Sequence, residues 1–210
     1  MTDNNELKTE EQRIGELALR TAQWCNASLH QFKRFVEALE FPNEGKIPWE
    51  QGENSSLLHA EKIFLVTAIC QMFQYLEALR NKLRERGDDS LVPLLDSIAT
   101  EDERKQIRQW RNINEHELDY IQGKGFQQYQ AKNPSLYLSA VFVGVNHGMV
   151  FVNGDTKDFY LGRIQIDHLI SRIKKNRPAI LERTRGIFYT YYYGLAPQKE
   201  NLSLPQEEQL

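Results

Sequence analysis

Apolar residues recur at three- and four-residue steps in two long stretches of the chain, and this periodicity limits the fold more than any other feature. The first stretch runs from about Gln12 to Leu39, and the second covers residues 56–86. Such spacing is typical of amphipathic α-helices. The second stretch is apolar almost all round between Ile63 and Met72, which is typical of a helix at the centre of a bundle. The sequence therefore predicts two long helices, the second of them central.

Shorter helical segments follow. Gly87 is the predicted stop of the second helix. Residues 89–100 predict one or two helical turns broken near Pro93. Thr100, with Glu103 three residues later, has the spacing of a capping box and predicts the start of a third helix over about 101–121.

The character of the sequence changes after Asn133. Residues 136–162 are rich in β-branched and aromatic side chains, with turn signals at Asn146-His147-Gly148 and Asn153-Gly154. Asn-Gly between alternating apolar runs favours a β-hairpin, so we predict a three-stranded antiparallel meander there. Helical spacing returns from Ile166 to Ile173, and Pro178 is predicted to open another helix that reaches about Ile187.

The predicted fold class is mostly α: a helical bundle with a small C-terminal antiparallel β-meander and closing helices. We divide the chain into a disordered N-terminus (1–8), the helical bundle (9–133), the meander with the C-terminal helices (134–195) and a flexible tail (196–210).

Composition favours a soluble globular protein. The 210 residues are 40% hydrophobic and 26% charged, which suffices for a core without disulfides or metal. No apolar run reaches the length of a membrane span, and the first residues are polar and acidic rather than a secretion signal. Cys25 and Cys70 lie in apolar-periodic segments, so we interpret them as reduced core thiols of a cytoplasmic protein.

The net charge of −3 conceals an asymmetry along the chain. Residues 1–103 contain 11 Lys and Arg against 19 Asp and Glu, whereas residues 104–186 contain 14 against 7. A basic stretch of this kind suits a polyanionic partner. Neutralisation by the acidic half, within one molecule or across a dimer, explains the pattern equally well.

The third predicted helix contains the arrangement that points to chemistry. Arg111 is followed by Asn112 and, four residues after that, by His116. This spacing resembles the R-x4-6-H signature of the HEPN family, in which a polar residue, often Asn, follows the Arg. The resemblance covers the motif and the order of long helices over roughly residues 10–130. Arg163 and His168 have the same spacing, but Ile164 follows that Arg and the pair falls at a strand-to-helix junction.

The resemblance implies a small all-α bundle and, as in many members of the family, a metal-independent endoribonuclease of a toxin or antiphage system, without cofactor or metal. The residues it marks as catalytic are Arg111, Asn112 and His116. Lys105, Arg108 and Tyr120 on the same predicted helix are our candidates for substrate binding. RNA is the implied substrate, and an antitoxin or regulatory protein a further partner.

Helical geometry and the chemistry of RNA cleavage together favour a homodimer. At 100° per residue, Arg111 and His116 project about 140° apart, so a bend in the helix or a second copy of it from a partner chain would be needed to bring them together. Cleavage by the RNA's own 2′-hydroxyl needs both a base and an acid, and histidine serves in either role. A two-fold axis beside this helix would supply His116 twice, which matches the composite dimer groove that the resemblance implies.

Other interpretations of the same residues stay open. Arg111 and Glu115 have the i, i+4 spacing of a surface ion pair, and His116 could be solvated or paired with Asp119. The alternative function is a non-catalytic HEPN-like module that binds a nucleotide or protein partner. Some toxins of the family carry a tyrosine two residues after the His, where an antitoxin modifies it. Here Leu118 stands at that position.

Two further features lie near the end of the chain. A basic cluster, Lys174, Lys175, Arg177, Arg183 and Arg185, suits either phosphate binding or an ordinary solvated face. The aromatic run over residues 188–193 suits base stacking, although such runs more often pack against a sheet or a partner.

Overall fold

We describe the protein from a computed structural model. Two long antiparallel helices, α1 (Glu10–Glu40) and α2 (Gly52–Arg84), pack against each other and form its centre. The structure describes residues 9–40, 52–115, 149–153, 156–161 and 164–195. The remaining described elements are α3 (Val92–Ile98), α4 (Glu101–Glu115), β1 (Met149–Asn153), β2 (Thr156–Leu161), β3 (Ile164–Gln165) and α5 (Ile166–Tyr193).

α2 is the central helix, as its nearly continuous apolar sequence predicts. Its buried side chains include Ile69, Phe73, Leu76 and Leu83, each at most 1% exposed. The chain leaves α2 through Gly87, whose φ of 80° is in the left-handed region. There the Asp88 amide donates to the Leu83 carbonyl and the Gly87 amide to the Arg84 carbonyl, which is a Schellman cap. The predicted stop is confirmed.

Capping boxes start two of the helices. The Thr100 amide donates to the Glu103 carboxylate at 2.8 Å and the Glu103 amide to the Thr100 hydroxyl at 3.2 Å, so the predicted box at α4 is confirmed. Thr9 and Gln12 form the same reciprocal pair at α1. The sequence prediction, which started this helix at about Gln12, missed it.

The predicted break near Pro93 is wrong. α3 contains Pro93 in its first turn, where the missing amide proton has no intrahelical acceptor in any case. Leu91, Leu95 and Ile98 are fully buried, and this burial fixes α3 between α2 and α5.

The described strands form an antiparallel sheet in the order β1-β2-β3. Met149 pairs with Tyr160 and Asn153 with Thr156, so β1 ends at the Asn of the Asn-Gly signal. Residues 154–155, between β1 and β2, lie outside the described residues. β3 pairs Ile164 with Leu161 and leads straight into α5. The sequence did not predict β3. The first strand of the predicted meander, within residues 136–148, lies outside the described residues.

A single helix, α5, replaces the two helices that the sequence predicts on either side of Pro178. Pro178 is inside α5, and that interpretation of the proline as a helix start is wrong. Ile166, Ile173, Ile180 and Ile187 recur every seven residues and are all buried. Because this apolar side packs along α1, tertiary burial outweighs the one backbone hydrogen bond that proline removes.

The described part of the chain is mostly helical, with five helices around one hydrophobic core, and the general fold class is confirmed. Both cysteines are free and buried, as predicted. The predicted disordered N-terminus (1–8), flexible tail (196–210) and the end of the third helix beyond Glu115 lie outside the described residues.

One helix among the described residues, Ala60–Arg84 within α2, is long and apolar enough to cross a membrane. More than half of its apolar window is buried inside the protein. Buried core helices meet the same length and hydropathy criteria, so this helix is weak evidence for a membrane span.

Candidate functional site

The candidate site is on α4, a helix with one buried side and one solvated side. Ile107 and Trp110, 1% and 3% exposed, fasten the buried side of α4 to the bundle, and α4 packs on α2. Glu101, Asp102 and Glu103 occupy its first turn, where carboxylates favour the positive end of the helix dipole. The predicted site residues follow along this helix.

A carboxylate on α2 holds two cations of α4 together. Glu77 lies 2.9 Å from Arg104 Nε and accepts a 2.6 Å hydrogen bond from Arg108 Nη1. Arg104 and Arg108 are one turn apart, so their guanidinium groups reach the same acceptor. Arg108, a predicted substrate-binding residue, is thereby tied to the bundle.

Arg104 is structural. Its side chain is 5% exposed, donates from Nη1 to the carbonyl of Ala99 at 2.5 Å and lies 3.6 Å from Asp96. A buried guanidinium needs such partners because an unpaired buried charge is costly. Arg104 thus links α4 to α2 and to the end of α3.

Lys105 is on the solvated side of α4. Its ammonium lies 2.7 Å from Glu101, and both side chains are more than half exposed. This hydrogen bond raises the pKa of Lys105 and lowers the pKa of Glu101 from their ordinary values. An exposed pair of this kind is readily exchanged for another anion.

Arg111 and Asn112, two of the three predicted catalytic residues, are at the C-terminal end of α4. Arg111 Nη2 lies 2.6 Å from the Glu115 carboxylate, and its side chain is 27% exposed. The ion pair that sequence spacing offered as an alternative is therefore formed. Arg111 Nε is buried without a hydrogen-bond partner among the described residues. The adjacent Asn112 is exposed.

The thiol of Cys70 on α2 is near this end of α4. Burial raises the pKa of Cys70, and the positive charges of Arg111 and Arg108 oppose that rise. Since Cys70 and Glu77 are two helical turns apart on the same side of α2, the cationic side of α4 runs along both. Neutral Cys70 offers Arg111 no counter-charge, which leaves Glu115 as its carboxylate partner in the described part of the protein.

His116, the third predicted catalytic residue, and Tyr120, a predicted substrate-binding residue, lie outside the described residues. Arg111 and Asn112 are adjacent near the end of the described part of α4, with Arg108 about one turn and Lys105 about two turns earlier.

The sequence interpretation missed Glu77, although a signal was present. Glu77 stands between Leu76 and Ala78 in the apolar part of α2. An acidic residue inside such a helix is usually paired. Its partners could not be named from the sequence because they are about thirty positions away.

No group of three or more His, Cys, Asp or Glu side chains in the described ranges is arranged to hold a metal ion. No protein-family model matches the chain, and searches of the curated proteins and of the solved structures give no match either.

Proposed function

We propose that this protein is a HEPN-type, metal-independent endoribonuclease that works as a cytoplasmic homodimer in a bacterial toxin or antiphage system. The observation that supports the proposal is the position of Arg111 and Asn112. They are adjacent near the end of the described part of α4, an amphipathic helix whose other side is buried in the bundle. Asn112 is exposed, and the side chain of Arg111 is 27% exposed. A helix packed on the bundle along one side can hold a guanidinium and an amide against one phosphate group.

The chemistry assigns a role to each residue of the motif. His116 removes the proton from the 2′-hydroxyl, whose oxygen attacks phosphorus while the bond from phosphorus to the 5′-oxygen breaks. His116 of the partner subunit gives a proton to that leaving oxygen. The products are a 2′,3′-cyclic phosphate and a 5′-hydroxyl end, so protons and bonds balance. Arg111 and Asn112 bind the non-bridging oxygens, on which negative charge increases in the transition state.

The Arg111–Glu115 ion pair is compatible with this role because it is exchangeable. Glu115 is 42% exposed, and the pair joins residues i and i+4 on one helix. Such pairs contribute only a few tenths of a kcal/mol. A phosphate diester that accepts two parallel hydrogen bonds from the guanidinium is a stronger partner. Glu115 is then the ion-pair partner of Arg111 until the RNA phosphate binds and replaces it.

A second candidate, the non-catalytic HEPN-like module, is favoured by a different observation. Each cation predicted to face substrate on α4 already has a carboxylate partner: Lys105 with Glu101, Arg108 with Glu77, and Arg111 with Glu115. A helix neutralised in this way can simply be the wall of a bundle that binds a nucleotide or a protein elsewhere.

One experiment separates the two functions. Purified protein is incubated with a mixture of RNAs in excess chelator, and the new 5′ ends are counted for wild type, His116→Ala and Arg111→Ala. If the protein is an endoribonuclease, the wild type cleaves RNA and each variant cleaves it at least a hundredfold more slowly. His168→Ala is the matched control, since His168 is 69% exposed and belongs to the second Arg-x4-His spacing.

Growth provides an independent measurement. Expression of the wild type is expected to arrest growth, and Arg111→Ala to relieve the arrest at equal protein level. Wild type and His116→Ala behaving alike in both assays would leave the non-catalytic module as the function.

A further inference from the structure

Three cations on α5 are exposed and have no partner among the described residues. Lys174, Lys175 and Arg185 are all exposed, and none has a hydrogen bond or ion pair with another described residue. The other arginines of α5 differ in this respect. Arg172 binds Glu103 at 2.5 Å, Arg183 binds Asp88 at 2.5 Å, and Arg177 donates to Asn26 at 2.8 Å.

Two tyrosines on α5 present their rings to solvent. Tyr189 and Tyr193 are 46% and 59% exposed, and their rings are 6.0 Å apart at an interplanar angle of 29°. Arg185, Tyr189 and Tyr193 are spaced four residues apart, so they form one continuous ridge on the helix. The ring of Phe188 lies edge-on to those of Tyr189 and Tyr193, with centroids 5.7 Å and 5.5 Å away. It also stacks at 5.0 Å on Tyr192, which is 38% exposed.

The cations and the rings share one face of α5. Lys174 and Arg185 are separated by eleven residues, which is three helical turns to within about 20°. Lys175 and Tyr193 both project about 100° to one side of Lys174, so the five side chains span an arc of about 100°. The distance along the helix axis from Lys174 to Tyr193 is about 28 Å. We call these five residues, Lys174, Lys175, Arg185, Tyr189 and Tyr193, the α5 face.

We propose that the α5 face binds single-stranded nucleic acid, with its phosphates on the three cations and two of its bases stacked on Tyr189 and Tyr193. Unpaired cations attract a polyanion, and aromatic rings exposed beside them offer the stacking surface that unpaired bases use. Glu182 is the exposed carboxylate on this side of α5, and the three cations outnumber it.

The chemistry of the face favours nucleic acid over other occupants. A helix face that inserts into a lipid surface is rich in Leu, Phe and Trp, whereas the rings here carry hydroxyl groups. The core of a protein interface is depleted of lysine, and two of the five residues are lysines. Binding at the α5 face also requires no cleavage, so it does not depend on the endoribonuclease proposal.

The test uses a nucleic acid that cannot be cleaved through a 2′-hydroxyl. A fluorescein-labelled (dT)15 strand is titrated with the full chain, and anisotropy is recorded between 50 and 200 mM salt. Three cations predict a slope of log K against log salt of about −2, which is about a twentyfold loss of affinity over that range. The same strand annealed to its complement is expected to bind more weakly, because paired bases cannot stack on the tyrosines.

Two variants and two matched controls assign the binding to the α5 face. The first variant combines Tyr189→Ala with Tyr193→Ala, and we expect it to bind the strand at least tenfold more weakly. The second variant combines Lys174→Gln, Lys175→Gln and Arg185→Gln, and we expect it to reduce the slope of log K against log salt by about 2. Phe64→Ala removes an exposed aromatic side chain from α2 and should have no effect. The charge control combines Arg13→Gln, Arg20→Gln and Lys33→Gln, which remove the same three charges from α1. It should keep most of the affinity for the (dT)15 strand.

The result that would overturn the proposal is equal binding by the tyrosine variant and wild type, or no binding of (dT)15 at 50 mM salt. Binding lost equally in the α1 charge control would also overturn it, since the effect would then follow net charge. Sedimentation shows whether the tyrosines instead hold a second copy. A dimer that the tyrosine variant dissociates, without any oligonucleotide binding, would replace nucleic acid as the occupant.

Discussion

Gly15 on α1 lies directly against Tyr192 on α5. A Cβ placed on Gly15 would be 2.7 Å from the Tyr192 Cβ and 3.1 Å from its amide nitrogen. The absent side chain therefore lets the C-terminal end of α5 approach the N-terminal part of α1. The position needs a glycine for space, because its backbone is ordinary α-helix.

Gly15→Ala is expected to destabilise the protein by about 1 kcal/mol in urea unfolding. Overpacking costs about 1–3 kcal/mol, and the better helix propensity of alanine returns up to about 1 kcal/mol. Gly186→Ala is the matched control on α5, where nothing lies within 4 Å of the added Cβ. It should stabilise by about 0.5–1 kcal/mol. The same sign for both variants would contradict the close approach.

Pro178→Ala is expected to raise the free energy of unfolding by about 1–3 kcal/mol. Pro178 is exposed inside α5, and alanine restores the hydrogen bond to the carbonyl of Lys174 and removes the ring from that carbonyl. Pro93→Ala is the control, since Pro93 occupies the first turn of α3, and it should change stability little. Differential scanning calorimetry measures both, and an equal gain in the two variants would argue against a continuous α5.

Glu103→Gln is expected to remove part of the acid sensitivity of the fold. Burial alone would raise the pKa of Glu103, but hydrogen bonds from Arg172 and Thr100 outweigh it and lower the pKa below its ordinary value. A carboxyl group whose pKa is lower in the folded than in the unfolded protein stabilises the fold. Its contribution to the free energy of unfolding is complete above the unfolded-state pKa of about 4.3, and it is lost as the pH falls through the folded-state pKa.

The glutamine variant keeps the capping box and loses the charge, at a cost of about 1 kcal/mol at pH 7. Urea unfolding of both proteins between pH 7 and pH 3 should give stability curves that approach each other as the pH falls below about 4.3, the unfolded-state pKa. Curves that stay parallel over the whole range would show that Glu103 does not contribute through its charge.

Glu115→Gln is expected to increase affinity for RNA about two- to fivefold under the proposed function. The substitution removes the carboxylate 2.6 Å from Arg111 Nη2, and an exposed ion pair contributes at most about 1 kcal/mol. Glu37→Gln makes the same charge change beside Lys33 on α1. Binding is measured by anisotropy on RNA in the His116→Ala background. If both variants gained the same affinity for RNA, the gain would come from the change in net charge and not from the release of Arg111.

Cys25 and Cys70 are expected to be unreactive in the native protein. Burial raises the pKa of Cys25 to about 11 and also raises the pKa of Cys70, so the reactive thiolate is scarce at neutral pH. A chromogenic disulfide reagent at pH 8 should label neither thiol without denaturant and both in 6 M urea. Rapid labelling of the native protein would contradict their place in the core.

Some contacts of the candidate site could be predicted from the sequence, and others could not. The contact between Arg111 and Glu115 follows from their spacing on one helix, and the sequence could indicate it as an alternative. The neutralisation of Arg108 by Glu77 could not be predicted, because the partner comes from another helix. That Lys174, Lys175 and Arg185 have no partner in the described part of the protein also depends on which side of α5 faces α1.

The sequence alone determined the helical class, the order of the long helices, the capping box at Thr100 and the stop at Gly87. These features depend on local hydrogen bonds and on apolar periodicity, which neighbouring residues define. Only the tertiary structure decided that α5 continues through Pro178 and that Tyr192 packs directly against Gly15. It also decided which basic side chains form an ion pair with a carboxylate. Each of these rests on contacts between residues far apart in the chain, whose energy outweighs the local preference.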